Sequence, residues 1–425
     1  MHIIHAIRTS RTLISVLAGC LVFLFAASAT PFLAGASSNA PSHAFRPAIT
    51  TNCPAPGTAN AASMPALTLG SHSNLVYIVN ESTPFQGTLK RYDVVTGAKV
   101  EVVKLANMSI SEAQVSANGQ WLMFVAQVPG QSKLQLVRMD GQFLQTLYCA
   151  SPPSGVNPGV ALNEVQWSVD QKLAVFVSGS SIYLLNVTNG ILQTELSFSG
   201  GASIHPRTWL DNTRAYVTFQ LPDGPPQSLL ILDTSKGPNQ SVQNLRVAFD
   251  ASNSTPFCWD FDSSFDGKSL FTSQCTAKNF GGPGASPCCG PSVIADRSPT
   301  GCPGYSYVFV NQAQAFIAVR AVTATTLLFT VGNFTGDTSQ NGVWKVGTDG
   351  SSPLRLTPSG ELNQFTQFPW SNVSRDSTKY AVQIVSSTSS GTTYTLEYGS
   401  LSGGSPVVFA SITNVLLATV GWTTM

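Results

Sequence analysis

From residue 73 onwards, apolar residues come in short bursts: LVYIV (75–79), WLMFVAQ (121–127), KLQLVRM (133–139), LAVFVSG (173–179), SIYLLNV (181–187), SLLILD (228–233), LLFTV (327–331) and YAVQIV (380–385). Some alternate apolar with polar positions and others are continuously apolar, as strands buried on one or both faces do. Gly, Asn and Asp separate them, and hardly any run spaces its apolar residues as a helix requires. The pattern predicts an all-β protein.

The bursts repeat as units. Ser116-Ala117-Asn118-Gly119, Ser168-Val169-Asp170-Gln171, Leu210-Asp211-Asn212-Thr213, Ser264-Phe265-Asp266-Gly267 and Ser374-Arg375-Asp376-Ser377 each precede an apolar strand. A second turn recurs before the last strand of a unit, at Thr96-Gly97, Asp140-Gly141, Asn189-Gly190, Asp349-Gly350 and Gly403-Gly404. Two tight turns per unit imply a four-stranded meander, since Asn-Gly and Asp-Gly reach the positive φ that hairpins need. Repeated meanders at intervals of about 40–50 residues are the pattern of a β-propeller.

The count of units follows from spacing. Ser116 to Ser374 spans 258 residues, or about 52 per step if Ala321-Val322-Thr323-Ala324-Thr325-Thr326 marks a unit without the serine turn. That gives six units between 110 and 412. Residues 73–104 supply three strands without an inner one, and NVLLATVGWTT at the C-terminal end supplies one strand without followers. Pairing them closes a seventh blade and removes the free sheet edges of an open array. The expected architecture is therefore a seven-bladed propeller, with six blades as the alternative count. Trp167, Trp209, Trp259, Trp370 and Trp422 fall in or near first strands, where large apolar side chains fill the layer between blades.

Residues 1–35 are different in kind. Arg8 and Arg11 precede LISVLAGCLVFLFAASATPFLAG, and Ala27-Ser28-Ala29 fits a cleavage site. This segment reads as a signal peptide or, uncleaved, as a membrane anchor over 12–35, and membrane contact is expected only there. Leu17-Ala18-Gly19-Cys20 has the form of a lipobox, but the apolar run continues past Cys20. Residues 36–66, rich in Pro, Ala, Ser and Thr, read as a linker, and 67–425 as the propeller. Charged residues make up only 10% of the sequence, with a net charge of +1, so the basic field that nucleic acid demands is missing.

At the serine turns the sequence resembles the TolB-type, WD-like propeller repeats of bacterial extracytoplasmic proteins. Their motif runs tryptophan, serine, any residue, Asp-Gly-Lys and an apolar strand; Trp167-Ser168-Val169-Asp170 and Ser264-Phe265-Asp266-Gly267-Lys268 match it best. Val115 replaces the tryptophan in one unit and Leu210 the serine in another, and the separate N-terminal domain of TolB has no counterpart. The resemblance covers residues 73–425 and implies a fold and a compartment more than an activity.

In an oxidising compartment the cysteines read as disulfides. Across the hairpin FCWDFDSSFDGKSLFTSQC, Cys258 and Cys275 mirror each other about the Asp266-Gly267 turn and are expected to bond. The Gly/Pro-rich insertion at 276–304 is expected to be a stapled loop without strands, Cys302 bonding Cys288 or Cys289. Cys53 and Cys149 are a candidate pair that would join the linker to the first full blade. No CxxC or comparable ligand spacing calls for a metal, and nothing calls for a cofactor.

Catalytic patterns are scarce. No G-x-S-x-G elbow occurs. His43 lies in the linker, His72 just before the first strand, and His205 begins an inner strand in SIHPRTW. Asp260, Asp262 and Asp266 form the densest acidic group, but their spacing departs from a calcium loop. The expected function is binding of a protein, peptide or glycan at the cell surface by loops at one mouth of the propeller. The alternatives are a carbohydrate-active hydrolase or lyase with acids at the channel, and a cell-wall structural protein.

Overall fold

The structure is a computed structural model. It describes residues 51–151, 162–197, 203–220, 226–238, 243–244, 258–264, 266–275, 292–299, 305–311, 314–333, 337–361, 363–364 and 372–425. Among these residues the strands form seven four-stranded antiparallel sheets, arranged as a seven-bladed β-propeller with almost no helix. No helix among them is long and apolar enough to cross a membrane.

Blade 1 is composite. The strand Leu416–Thr424 pairs antiparallel with Ser73–Ser82, which pairs with Phe85–Asp93 and so with Lys99–Ala106. Its register sets Leu75 opposite Trp422 and Val79 opposite Leu417. Blades 2 to 7 follow in sequence order, each a meander, opening with Ser109–Val115, Asn163–Trp167, Ser203–Trp209, Cys258–Ser263, Phe316–Thr323 and Asn363–Gln364. Opening strands of neighbouring blades touch, those of blades 1 and 2, 2 and 3, 3 and 4, and 5 and 6 among them, and so line the axis.

The core lies in the seams between blades. Each seam holds one apolar cluster among the described residues: Val76 and Leu89 meet Ile110 and Phe124 between blades 1 and 2, and Leu75 and Trp422 meet Ala381 and Phe409 between blades 7 and 1. Phe271 and Ile294 pack on Phe316 and Phe329 between blades 5 and 6. Both faces of a sheet are thereby removed from water, which is why the bursts can be continuously apolar.

The two turn classes differ in how they are held. In the serine turns the Ser hydroxyl donates to the side chain two residues on: Ser116 to Asn118 at 2.8 Å, Ser168 to Asp170 at 2.8 Å and Ser264 to Asp266 at 2.7 Å. The same hydroxyl accepts from the amide that starts the next strand. Where Leu210 lacks the hydroxyl, Asp211 accepts from Thr213 and Arg214 instead. The second turns place Gly97, Gly141, Gly190 and Gly350 at φ of 75°, 81°, 74° and 80°. A Cβ at Gly141 would stand 2.4 Å from the carbonyl oxygen of Val102, so this glycine also lets blade 2 close on blade 1.

Two segments depart from the expectation. Ser292–Arg297, within the stretch expected to hold no strand, is the third strand of blade 5 and pairs with both Leu270–Cys275 and Tyr305–Asn311. The six residues SVIADR contain neither Gly nor Pro, and the sheet needs them to cover Leu270–Cys275. Residues 51–66, whose composition reads as a linker, lie against the molecule as a strap. Asn60 donates its amide to the Leu147 carbonyl at 3.0 Å and Ala62 to that of Val187 at 2.8 Å, so the strap spans blades 2 and 3. Ala59, Ala62 and Met64 pack on the cluster between those blades, and Cys53 is bonded to Cys149.

Candidate functional site

The opening strand of each blade is a sheet edge facing the axis, so its outward amides need partners. For blades 3 and 6 the preceding blade supplies them. Gln114 Oε1 accepts from the Trp167 amide at 2.7 Å, and the Glu112 carboxylate accepts from the amides of Glu164 and Val165 at 2.8 and 3.0 Å. In blade 5 the same task falls to Asp260 and Asp262, which accept from Val319 and from Ala321 at 3.3 and 2.9 Å. Asp260 also pairs with Arg320.

These residues recur at one place. Gln114, Gln166, Thr208, Asp262 and Asn372 each stand two positions before a turn, and each is buried. Together they form a polar layer beneath the turns. Burial pushes the Asp262 carboxyl up to about 7, although the charge of Arg320 and the amide of Ala321 act the other way.

Above this layer the turns surround a cavity of about 230 Å³. Its walls come from five of the six blades whose turns are described: Gln114 to Ala117, Trp167 to Val169, Asp262 and Ser263, Ala321, and Val373 to Arg375 with Ser377, closed by Trp422 of blade 1. Val115, Trp167, Ala321, Val373 and Trp422 give it an apolar interior, all of them buried. The rim carries exposed Ala117, Val169 and Arg375.

Arg375 spans the rim. Its Nη1 donates to Ala117 O at 2.7 Å, Nη2 to Ser116 O at 2.7 Å and Nε to Trp422 O at 3.2 Å. One residue of blade 7 thus holds blade 1 and blade 2.

The opposite end of the axis carries different chemistry. His205 Nδ1 lies 2.7 Å from Glu164 Oε2, and Glu164 has φ of 55° in its strand. Glu112, pushed by burial up to about 7, reaches the Glu164 backbone. Among the described residues no three His, Cys, Asp or Glu side chains gather as a metal site.

The residues singled out in the sequence distribute as follows. Cys258 and Cys275 stand directly opposite in register. Cys288, Cys289, Cys302, Trp370 and His43 lie outside the described residues. His72 pairs with Asp93 at 2.9 Å at the edge of blade 1, away from the axis. Asp260 and Asp262 serve the strand edge of blade 6, whereas Asp266 is a turn residue, held at about 2 by the Ser264 hydroxyl and the Lys268 amide. Trp167, Trp209 and Trp422 are all at most 3% exposed. Sequence reasoning missed Arg375, Arg320, Glu112, Glu164 and Gln114. A signal for Gln114 existed: aligned on their turns, five units carry a polar residue two positions earlier.

Solved structures with similar folds include TolB from Acinetobacter baumannii, at 15% identity and a TM-score of 0.42, over 66% of this protein and 62% of that one. A protein assigned as a TolB from Agrobacterium tumefaciens matches at 12% identity and a TM-score of 0.40, over 84% of this protein and 99% of that one. The tricorn protease matches at 10% identity and a TM-score of 0.51, over 85% of this protein and 36% of that one. What this protein shares with them is the β-propeller fold. Its serine–aspartate turns are hydrogen-bonded at Ser168 with Asp170 and at Ser264 with Asp266. No family model matches the sequence, and no curated protein matches it. The protein spans less than two thirds of the Acinetobacter protein and about a third of the tricorn protease, and at these identities the likeness is one of fold.

Proposed function

We propose that this propeller is an exported binding protein that receives an extended segment of a protein or peptide ligand at the mouth surrounded by the serine turns. The observation that carries this reading is the apolar cavity there, built by rigid strand ends and rimmed by turns. At about 230 Å³ it suits one or two side chains. A glycan is less well served, because Trp167 and Trp422 are 3% and 2% exposed and offer no open face for a sugar to stack on.

Export rests on the apolar N-terminal segment and on the disulfide between Cys53 and Cys149, which suits an oxidising compartment. A carbohydrate-active hydrolase draws its best support from Glu112, Glu164 and His205 at the other end of the axis. Against it, both oxygens of Glu112 already accept backbone amides and Asp260 is paired with Arg320.

The test is capture from the outer surface fraction of the native organism with the protein and with an Ala321→Phe variant that fills the cavity. Partners retained by the first and lost with the second support the reading. Equal capture by both places recognition elsewhere. Turnover of a polysaccharide panel that Glu112→Gln abolishes would favour the hydrolase.

A further inference from the structure

Resting on that reading, we propose that the ligand carries a carboxylate beside the apolar side chain it buries, and that Arg375 and Trp422 receive that carboxylate. Charge is the first indication. Lys172 and Lys268, on the same circle of turns, each face the aspartate of their own turn, at 3.4 and 3.2 Å. Among the described residues Arg375 has only backbone carbonyls as partners, from Ala117, Ser116 and Trp422. No carboxylate lies within ion-pair distance of it among the described residues. A guanidinium has five N–H groups, so about two remain for a ligand after these three bonds.

A second, independent observation points the same way. Trp422 is 2% exposed and lines the cavity, yet its indole Nε1 has no hydrogen-bond partner among the described residues. A buried donor left unpaired is costly, and an oxygen arriving with a ligand would relieve that cost. Trp167, by contrast, donates its Nε1 to the Gln171 carbonyl at 3.0 Å, and Trp209 donates to Gln166 O at 3.0 Å. Among the described residues Asp262 is the one acid lining the cavity, and it directs its oxygens to the amides of Ala321 and Ser263. The cavity therefore combines apolar walls with an unneutralised cation at the rim, and one of its wall residues, Trp422, carries an unsatisfied N–H. An apolar residue flanked by a carboxylate complements all three.

Two sources carry that chemistry, the free carboxy terminus of a polypeptide and an Asp or Glu side chain. The probes are three immobilised random-hexapeptide sets: free C-termini without acidic residues, C-terminal amides containing Asp or Glu, and C-terminal amides without acidic residues. Binding to the first set identifies a terminal carboxylate and binding to the second a side-chain one, with the third weaker by about tenfold or more. Arg375→Gln is expected to remove the preference, so that the favoured set binds that variant no better than the third set does, while Arg375→Lys restores part of it. Trp422→Phe, which keeps an aromatic side chain but removes the N–H, is expected to weaken the favoured set several-fold. Melting curves of each variant establish that the fold is retained. Equal binding to all three sets overturns this inference and leaves the binding function standing. Binding to none, with Ala321→Phe indistinguishable from the parent in surface capture, overturns both.

Discussion

The guanidinium of Arg375 donates to the carbonyl oxygen of Ala117 at 2.7 Å, across 258 positions of sequence. It reaches over blade 1, the sheet assembled from both ends of the propeller, and fastens the turn of blade 7 to that of blade 2. Thr423 adds a bond from blade 1 to Gly119 O at 2.6 Å. Removing the guanidinium with Arg375→Gln should therefore loosen the closure. Hydrogen bonds from a charged donor contribute about 1.5–3 kcal/mol when buried, and with the residue partly exposed about 1–2 kcal/mol in total is expected. Thermal unfolding should show the loss as a melting point lower by a few degrees; an unchanged one would refute the clasp.

Stability should fall as the pH rises from about 5 to 8. Burial pushes the carboxyls of Glu112 and Asp262 up to about 7, against about 4 in an unfolded polypeptide. The folded protein therefore keeps protons that the unfolded state has released, and the contribution of these groups, complete below about pH 4, is lost through the window that ends near 7. Asp266, held at about 2, titrates below that window. Asp262→Asn keeps an oxygen for the Ala321 amide and should make the dependence shallower, with Glu112 and Glu397, also raised to about 7 by burial, still titrating. Melting temperatures across pH 5–8 test this, and a parent protein that gains stability over that range would contradict it.

Gly141 and Gly130 form a matched pair. Both have φ near +80°, at 81° and 75°, but only at Gly141 would a Cβ meet a neighbouring blade, 2.4 Å from Val102 O. Gly130→Ala should cost about 1 kcal/mol from backbone strain alone. Gly141→Ala should cost a further ~1–3 kcal/mol, as an overpacked core does. Denaturant titrations of both variants measure the difference.

The strap is cross-linked to blade 2 by its disulfide. Cys53 and Cys149 close a loop of 96 residues, and a cross-link of that length commonly contributes about 2–4 kcal/mol. Cys53→Ser with Cys149→Ser should lower stability by that order and make residues 51–66 the first site of limited proteolysis. Cleavage elsewhere first would show that Asn60, Ala62 and Met64 hold the strap without it.

Cys258 and Cys275 occupy directly opposed positions on the first hairpin of blade 5. We expect a second disulfide between them when the protein is prepared under oxidising conditions. Non-reducing peptide mapping decides it: a linked pair of peptides carrying both residues is the expected result, and alkylation of both thiols before reduction excludes it.

Much of the architecture was legible because propeller repeats write themselves locally. Each serine turn fixes a hairpin within a few residues, so Ser168 with Asp170 could be read without knowing any long-range contact. The closure of blade 1 followed from an unpaired strand at each end. The strand Ser292–Arg297 was hidden because Gly and Pro on either side dominated its surroundings. The candidate site was largely illegible for a different reason. Gln114 acts on blade 3, Asp262 on blade 6 and Arg375 on blades 1 and 2, and partners 53, 59 and 259 positions apart leave no local pattern. The acidic pair Asp260 and Asp262 looked like chemistry, but a carboxylate that accepts an edge amide is also what an exposed strand needs.

Because Leu75 and Val79 find their partners in Trp422 and Leu417, the first blade stays one strand short until residues 416–424 have left the ribosome. A growing polypeptide stacks six sheets in order but must leave an adhesive edge at the first until that segment is made. Folding of this protein thus waits for a late strand, and a nascent molecule stalled shortly before it would present an apolar border to chaperones, proteases or another stalled copy.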